Sequence, residues 1–310
     1  MSAFKEYENC TLCPRNCHAD RSRKNTGVCG MSDVLTVSRA SLHMWEEPII
    51  SGENGSGTVF FTGCNLHCVF CQNHEISGSV KLSDDSYREI SEDKLSDIFL
   101  ELESKGANNI NLVTGVHFIP HIRHAIEIAK SMGLKVPVLY NSSGYESVES
   151  LKSLEGLIDI YLPDFKYMRE KTARLYSKAA DYPDVAKAAI SEMVRQQPSP
   201  VFLENGMLKS GVVVRHLVMP GGVNEANEIL DYLYGTYKDN IYISIMNQYT
   251  PFPEFLPEDS AYDLLRRKVT KREYERVINH AFELGIENGF TQDGKAVSES
   301  FVPSFKCEGL

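Results

Sequence analysis

The sequence predicts an α/β protein in which a partial (β/α)6 TIM-like barrel follows a small four-cysteine knuckle at the amino terminus. After residue 57, short apolar runs alternate with amphipathic stretches, and this alternation is typical of strand-helix units that form a parallel sheet. Before that point, four cysteines lie within twenty residues, a segment too short to form its own apolar core. We therefore expect residues 1–50 to be a cysteine-rich extension and residues 51–310 to be the barrel with a carboxyl-terminal extension.

Six segments after residue 57 are rich in β-branched or aromatic residues, and we predict that they are the barrel strands. Such side chains favour strands because they pack well on a pleated surface. The six predicted strands are Thr58 to Phe61, Ile110 to Val113, Val136 to Tyr140, Ile158 to Leu162, Val212 to Val218 and Ile241 to Met246.

Capping residues and helical periodicity predict the helices between these strands. Ser91 is the predicted N-cap of one helix, and Pro120 suits the first turn of a second. Thr270 and Glu273 form a capping-box pattern at the start of a third. The segment from Asp181 to Gln197 is predicted to be an additional helix between the fourth and fifth strands.

The composition indicates an ordinary acidic protein. The formal net charge is -10, from 42 acidic and 32 basic residues, which argues against electrostatic binding of nucleic acid. The amino terminus lacks a basic region followed by an apolar stretch, and no run of 18 apolar residues occurs. We therefore expect a cytoplasmic protein with neither a nucleic-acid nor a membrane partner. In a reducing compartment, the eight cysteines are expected to bind metal rather than form disulfides, although Cys307 stands alone as a spare thiol.

Polar and turn-forming residues follow the carboxyl end of each predicted strand, where parallel barrels place their active sites. Turn formation explains many of these positions, but it explains Lys166 poorly. A loop with three cysteines follows the first strand in the same way.

The three-cysteine loop contains Cys64, Cys68 and Cys71, and three thiols do not suit either disulfides or a four-ligand zinc site. A zinc site completed by His67 or His74 is one alternative, but zinc knuckles do not normally lie on the first strand of a strand-helix series. Three thiolates can also hold a 4Fe-4S cluster with one iron left unligated. An open iron of this kind is a place for chemistry.

The C-x3-C-x2-C spacing, with Phe70 before the last cysteine, resembles the signature of the radical S-adenosylmethionine (radical SAM) superfamily. The resemblance implies a partial barrel of the radical SAM type. It also implies that the methionyl amine and carboxylate of S-adenosyl-L-methionine (SAM) bind the open iron of a 4Fe-4S cluster held by Cys64, Cys68 and Cys71. An electron from the cluster would then cleave SAM to give a 5'-deoxyadenosyl radical, with no catalytic side chain assigned beyond the cluster.

The longer stretch CNLHCVFCQNHEIS more closely resembles the pyruvate formate-lyase activating enzymes and their shorter relatives. The segments CTLCPRNCHADR, ASLHMWEEPIISG and MNQYTP are similar to the short branch. This resemblance implies hydrogen abstraction from a glycine of a partner polypeptide, with a flavodoxin- or ferredoxin-type electron donor. Two alternatives stay open: a radical SAM enzyme that modifies a peptide or small molecule, and a non-catalytic iron-sulfur or zinc redox protein.

The same resemblance implies which residues contact SAM. Phe70 is expected to lie against the adenine, and Arg215 to contact the nucleoside. Asn141, Ser142 and Ser143 are expected near the ribose and the methionyl group.

Two strand-end segments complete the expected SAM site. Asp164 and Lys166 match an acidic and basic pair near the methionyl carboxylate, although a turn-exposed ion pair of little consequence is the alternative. Thr114 and Gly115 stand where the activating enzymes carry Gly-Gly-Glu, so the acidic contact to the methionyl amine is missing.

The first four cysteines, Cys10, Cys13, Cys17 and Cys29, supply a closed set of thiols for zinc or a second iron-sulfur cluster. Zinc is favoured because the spacing is not that of a bacterial ferredoxin.

The segment from residue 40 to residue 50 leaves two interpretations open. It is either a half-buried strand whose tryptophan, Trp45, packs on the barrel, or a segment that directs His43 and Glu46 toward the substrate.

Overall fold

The computed structural model describes residues 4–78, 82–83, 85–292 and 305–310, and in this part of the chain ten strands form one sheet. The strands, numbered along the chain, are β1 (Thr36–His43), β2 (Ser56–Phe61), β3 (Arg88–Glu89), β4 (Ile110–Val113), β5 (Val138–Ser142), β6 (Ile160–Pro163), β7 (Val201–Phe202), β8 (Leu208–Leu217), β9 (Tyr242–Met246) and β10 (Gly289–Thr291).

The sheet is mostly parallel and does not close. Its order is β10-β9-β8-β6-β5-β4-β2-β1-β3, and β7 pairs with β8 off this path. All pairs from β2 to β10 along this order are parallel, as the six-strand prediction requires. The predicted strands are therefore confirmed, with boundaries that agree or shift by at most four residues.

The antiparallel strand β1 was only partly anticipated by the sequence. It pairs with β2 through contacts such as Ala40 with Val59, and a bulge between Val37 and Arg39 bends it. The connection from β1 to β2 crosses the amino-terminal end of the parallel strands. Asn109 holds it there by donating from its side chain to the carbonyl oxygen of Ile50.

The helices are α1 (Pro48–Ser51), α2 (Glu92–Ser104), α3 (Ile119–Ser131), α4 (Val148–Lys152), α5 (Glu170–Ser177), α6 (Tyr182–Gln196), α7 (Val223–Tyr237) and α8 (Lys271–Leu284). The predicted caps are confirmed. The hydroxyl of Ser91 accepts from the backbone of Lys94, and Thr270 and Glu273 form the capping box of α8.

Alternating side chains of the parallel strands divide the interior into two parts. Ile110 and Leu112 belong to the main apolar core that also contains the buried faces of the helices. Val113 packs with Phe60 in a small separate cluster, and both line a cavity on the inner side of the sheet. One face of the sheet therefore packs in the main apolar core, and the other face lines the cavity.

Among the described residues, no helix has the length and apolar character required to cross a membrane.

Acid should destabilise this fold partly through His216, which is 3% exposed on β8. Burial lowers the pKa of its imidazole from 6.5 to about 4. The unfolded chain therefore binds more protons between these values, so stability present above pH 6.5 is lost as the pH falls toward 4. Replacing His216→Asn should flatten the pH dependence of the unfolding free energy in this window by up to ~1.4 kcal/mol per pH unit.

Urea unfolding at several pH values measures this effect. The exposed His124 provides the matched control, since His124→Asn should keep the parent slope. An unchanged slope in the His216→Asn protein would contradict the expectation.

Candidate active site

A cavity of about 230 Å³ lies at the carboxyl ends of the parallel strands, and the fold brings most of the predicted site residues to it. The predicted residues that line it are Cys64, Cys68, Cys71, Phe70, Thr114, Asn141, Ser142, Ser143, Asp164, Lys166 and Arg215. Gly115 lies behind this lining, where an added Cβ would meet Ile122 at 2.4 Å. The placement is as the sequence predicts, while the ligand roles of these residues stay predictions.

The three-cysteine loop is held in a fixed backbone path. Gly63 has a φ of +86°, and a Cβ there would come within 2.8 Å of the carbonyl oxygen of Cys29. Asn65 is fully buried and donates to the carbonyl oxygen of Tyr145 at 2.9 Å. The hydroxyl of Ser177 donates to the sulfur of Cys68 at 3.0 Å. The loop therefore presents its sulfurs from a rigid frame.

Burial makes two sulfurs of this loop, those of Cys64 and Cys71, hard to ionise. Burial raises the pKa of Cys71 to about 12, and the neighbouring thiolates of Cys68 and Cys64 add to this rise. Burial, followed by Cys68, also raises the pKa of Cys64. Because bound metal supplies the positive charge that stabilises thiolates, a group of mutually close, buried sulfurs is well suited to a metal centre.

The kind of metal centre follows from how the donors are arranged. Within the described ranges, no three His, Cys, Asp or Glu side chains converge closely enough to hold a single metal ion. The cysteines of a cubic cluster bind different irons, so they need not converge on one point. The two histidines have other partners, since His67 Nε2 lies 2.7 Å from the carbonyl oxygen of Val28 and His74 packs against Phe255. The donor set thus fits a 4Fe-4S cluster better than zinc.

The ring of Phe70 is fixed by three tyrosines. Tyr167, Tyr176 and Tyr249 contact it edge to face, with ring centroids 6.4, 6.2 and 6.2 Å away. Such edge contacts orient an aromatic ring while leaving a face available for stacking.

A buried network of charged side chains forms the opposite wall of the cavity, with Arg215 at its centre. The guanidinium donates from Nε to Asp164 at 3.1 Å, from Nη1 to Glu46 at 3.1 Å and from Nη2 to Asn141 at 2.6 Å. Lys166 donates to the other oxygen of Asp164 at 2.6 Å. Every nitrogen of the guanidinium therefore has a partner.

This network corrects one alternative from the sequence. Asp164 and Lys166 are not a turn-exposed pair, since their side chains are only 16% and 19% exposed. Burial by itself would raise the pKa of Asp164, but Lys166 and Arg215 together hold it below its usual value. Burial would lower the pKa of Lys166, but Asp164 raises it above its usual value. Both groups are therefore charged in the folded protein.

The segment after β4, residues 114–117, contains no acidic residue. Thr114 has a φ of +59°, an uncommon conformation for a β-branched residue. His117, which stands near the place of the missing acid, is buried and contacts the carbonyl oxygen of Thr62 at 2.7 Å. Burial lowers its pKa to about 3, so it is neutral.

Apart from Asp164, the acidic residues that line the cavity come from the connection between β1 and β2. His43, Trp45, Glu46 and Glu47 all line the cavity. Trp45 is 55% exposed and so does not pack closely on the barrel, although the half-buried strand is present as β1 up to His43. His43 and Glu46 line the cavity, and their role toward a substrate stays a prediction. Glu47 was missed; the only signal was a Glu-Glu pair before the first-turn proline of α1.

The first four cysteines also lie close together. A Cβ added to Gly27 would be 3.0 Å from the sulfur of Cys17 and 3.7 Å from that of Cys29. Burial raises the pKa of Cys13 to about 12, and the thiolate of Cys29 adds to this rise. Cys10 is 5% exposed and its sulfur accepts from Arg21.

Arg21 is a buried cation beside these sulfurs; burial raises the pKa of Cys29, and Arg21 opposes that rise. Its side chain is fully buried and donates to the carbonyl oxygens of Met31, His117 and Ser32 at 3.0, 2.8 and 2.6 Å. In the described part of the chain, no carboxylate is recorded among its partners. A buried cation needs a compensating charge, and thiolates at Cys10 and Cys29 supply it when they are bound to metal.

Arg15 joins the two cysteine groups. It lies between Cys13 and Cys17, and it donates to the carbonyl oxygens of Asn65 at 2.8 Å and Leu66 at 3.3 Å, inside the three-cysteine loop. It also donates to the carbonyl oxygens of Lys178 at 2.6 Å and Ser177 at 2.9 Å. The amino-terminal unit therefore packs directly on the loop, a contact that no local sequence pattern predicted.

Comparison with known proteins adds four findings. The family model described as the radical SAM superfamily matches residues 58–233. An uncharacterized protein of Methanocaldococcus jannaschii is 27% identical over 285 residues, which cover 91% of this chain and 76% of that protein. A radical SAM methyltransferase from Sphaerobacter thermophilus has a similar fold, with a TM-score of 0.53, 12% identity, and coverage of 80% of this chain and 69% of that one.

A domain of a pyruvate-formate lyase-activating enzyme from Bacteroides vulgatus ATCC 8482 also matches, at 11% identity. The match covers 56% of this chain and 93% of that domain, with a TM-score of 0.36.

Arg15 should be needed to keep the three-cysteine loop in place. Replacing Arg15→Gln removes charge-assisted hydrogen bonds to four carbonyl oxygens, and we expect a loss of about 2 kcal/mol in the stability of the loop. The measurement is the rate at which anaerobically reconstituted protein loses iron to a chelator, which should rise at least several-fold.

Arg174→Gln serves as the control, because Arg174 pairs only with Glu170 at an exposed site. Equal rates of iron loss in the Arg15→Gln and Arg174→Gln proteins would show that the loop does not depend on Arg15.

Proposed function

The chain belongs to the radical SAM superfamily, and from this premise we propose that it is an activating enzyme that abstracts a hydrogen atom from a polypeptide. When bound, the 4Fe-4S cluster and SAM of this family supply a reductive cleavage that yields methionine and a 5'-deoxyadenosyl radical. The observation that carries the proposal is the meeting of three cysteines, Phe70 and the charged network at one cavity. The activating-enzyme-like stretch CNLHCVFCQNHEIS is the reason for choosing a polypeptide substrate.

In this proposal, Cys64, Cys68 and Cys71 hold the cluster. The backbone N–H of Leu66 lies 3.3 Å from the sulfur of Cys64, and the hydroxyl of Ser177 donates to Cys68, so both sulfurs receive a hydrogen bond that favours the thiolate. These contacts stabilise the ligands in the charged form that iron requires.

The residues around the cluster would orient SAM. Phe70, fixed by its three tyrosines, offers a face to the adenine. One of the three N–H donors of Lys166 bonds to Asp164, and the other two are available to the methionyl carboxylate. The hydroxyl of Ser143 accepts from the backbone N–H of residue 145, so its own hydrogen can be donated to the ribose or methionyl group. The hydroxyl of Ser142 accepts from the backbone N–H of residue 144 and bonds to the carboxyl of Glu146, so Ser142 would act by shaping the wall.

Thr114 and Gly115 would line the methionyl amine through their backbone, since no acid follows β4. Arg215 has a different part. Because its nitrogens are committed to Asp164, Glu46 and Asn141, we propose that it positions Asn141 for the nucleoside instead of donating to SAM itself. The walls then exclude water from the radical, as this chemistry demands.

A metal at Cys10, Cys13, Cys17 and Cys29 is part of the same proposal. The buried Arg21 supports a negatively charged thiolate centre of either kind, zinc or a second iron-sulfur cluster. We assign it a structural part, since Arg15 and the carbonyl oxygen of Val28 connect this unit to the three-cysteine loop. The proposal also includes three expectations from the sequence. Residues 1–50 form one unit, the electron donor is of the flavodoxin or ferredoxin type, and the protein works in a reducing compartment.

A second candidate is a radical SAM enzyme that acts on a peptide or small molecule. It is favoured by one observation, the absence of an acidic side chain after β4, where the activating enzymes have theirs. The non-catalytic redox protein is disfavoured, because an iron-sulfur carrier has no use for a charged cavity beside its cluster.

Anaerobic reconstitution with iron and sulfide, followed by dithionite and SAM, tests the chemistry. We expect methionine and 5'-deoxyadenosine in equal amounts, detected by chromatography. Cys68→Ala should reduce both to background, because the cluster loses a ligand. Cys307→Ala is the control and should retain the products, since Cys307 lies outside both cysteine groups and contacts the carbonyl oxygen of Asp85. An intact cluster with no cleavage of SAM would contradict the proposal.

The polypeptide substrate needs its own test. With pyruvate formate-lyase as the probe substrate, electron paramagnetic resonance should show the doublet of a glycyl radical only when active protein, reductant and SAM are present. SAM cleavage with no such doublet, together with hydrogen abstraction from small molecules, would favour the second candidate.

Metal analysis tests the amino-terminal unit. Purified protein should contain a metal in addition to the cluster iron, and Cys17→Ser should lower that content while the irons of the loop cluster are retained. Zinc by elemental analysis indicates a structural ion; four further irons and sulfides indicate a second cluster. Identical metal content in the parent and Cys17→Ser proteins would contradict a metal at this place.

A further inference from the structure

Residues 44–55, which we call the floor segment, bring Trp45, Glu46 and Glu47 to the lining of the cavity. This segment enters from β1, outside the parallel strands, and it is tied down where Asn108 donates to the carbonyl oxygen of Ser51 at 2.6 Å and Asn109 donates to that of Ile50 at 2.9 Å. Glu46 and Glu47 of this segment line the cavity. The floor segment thus delivers two carboxylates to the cavity.

The cations near the floor are already matched by internal acids. Arg215 pairs with Glu46 and Asp164, and Lys166 pairs with the same Asp164. Two positive and two negative charges therefore balance. Among the described lining residues, no lysine or arginine is left over for an anionic substrate group.

The acceptors near the floor, by contrast, exceed the donors. Oε2 of Glu47 is buried without a hydrogen-bond partner, on a residue that is 8% exposed. Oδ1 of Asn111 is also buried without a partner, on a residue that is fully buried. The side-chain amide of Asn111 donates to Glu46 at 3.0 Å, so Asn111 lies beside the residue that precedes Glu47 in the chain. Buried acceptors without donors are costly, and two on or beside this pair of carboxylates indicate a missing donor.

The ionisation of Glu47 also indicates a missing donor. Burial raises its pKa above the usual value, and the neighbouring Glu46 adds to this rise while Arg215 opposes it. An ionised Glu47 would leave the network with one unmatched negative charge. A donor that enters the floor would therefore satisfy the oxygen and, if cationic, the charge as well.

We propose that Glu47, supported by Asn111, forms a substrate-binding subsite at the floor of the cavity that takes a nitrogen donor, either an amide N–H or an ammonium group. The inference rests on the proposed function, and it specifies which part of a polypeptide or amine substrate is recognised. A substrate anchored at the floor by its nitrogen places its remaining atoms toward the centre of the cavity, between the floor and the cluster. Anionic substrates are disfavoured, since the floor offers them carboxylates.

The test is equilibrium binding of three probes of nearly equal size: n-propylammonium, propionamide and propionate. Each is titrated by ligand-observed nuclear magnetic resonance against reconstituted protein with SAM and an oxidised cluster, so that no cleavage occurs. We expect propylammonium and propionamide to bind at least tenfold more tightly than propionate. Glu47→Gln should weaken propylammonium binding at least tenfold, because the carboxylate is replaced by an amide that carries its own donors.

Glu53→Gln is the matched control, since Glu53 lies exposed on the same segment, and it should bind all probes as the parent does. If Glu47→Gln does not fold, as judged by circular dichroism, Asn111→Ala tests the same subsite and should weaken propionamide and propylammonium alike. Equal affinity for the three probes, or unchanged affinity in a folded variant, would overturn the subsite and show that water alone occupies the floor.

The outcomes separate this inference from the proposed function. Probe binding that depends on Glu47 in a protein that produces no glycyl radical would retain the subsite and reject the activating role. A glycyl radical formed equally well by the parent and Glu47→Gln proteins, with no selective probe binding, would retain the activating role and reject the subsite.

Discussion

Compensation of buried charge is the constraint on which the rest of the structure depends. Arg21 and Arg215 both lie inside the protein, and each can be there only with negative charge beside it. For Arg215 the charge comes from Asp164 and Glu46. For Arg21, our proposal is that it comes from metal-bound thiolates at Cys10 and Cys29. Removing one partner of such a pair leaves an uncompensated charge, so both networks are strongly coupled to folding.

The same constraint applies to the three-cysteine loop, but there the buried groups become negative and the compensating charge must be positive. Burial raises the pKa of Cys64 and Cys71, so these sulfurs ionise only when positive charge arrives with a metal centre. The loop is nevertheless shaped before the metal binds. Gly63 and Asn65 fix its backbone, and Arg15 fastens it to the amino-terminal unit through carbonyl oxygens that no other cation contacts in the described part of the chain. Cluster binding and packing of the amino-terminal unit should therefore support each other.

Local sequence signals predicted what depends on local physics. Among the described residues, branched apolar runs identified six of the seven parallel strands and missed only β10. Capping residues identified the starts of α2 and α8, and thiol spacing identified the loop at the cavity. Boundaries were less accurate where polar residues continue a strand, as Asn141 and Ser142 do at the end of β5. The antiparallel pairing of β1, the entry of Glu47 and the burial of Arg15 and Arg21 depend on contacts between distant segments. A single sequence carries little signal for such contacts, because an arginine or glutamate is by default a surface residue.

The central claim is that the three cysteines hold a cluster with one iron open to SAM. Electron paramagnetic resonance of the dithionite-reduced protein, recorded with and without SAM, tests it most directly. The account predicts the signal of a reduced 4Fe-4S cluster whose g-values shift when SAM binds, because SAM coordinates the open iron. A spectrum that is unchanged by saturating SAM, or a loop that takes up zinc and no iron, would contradict it.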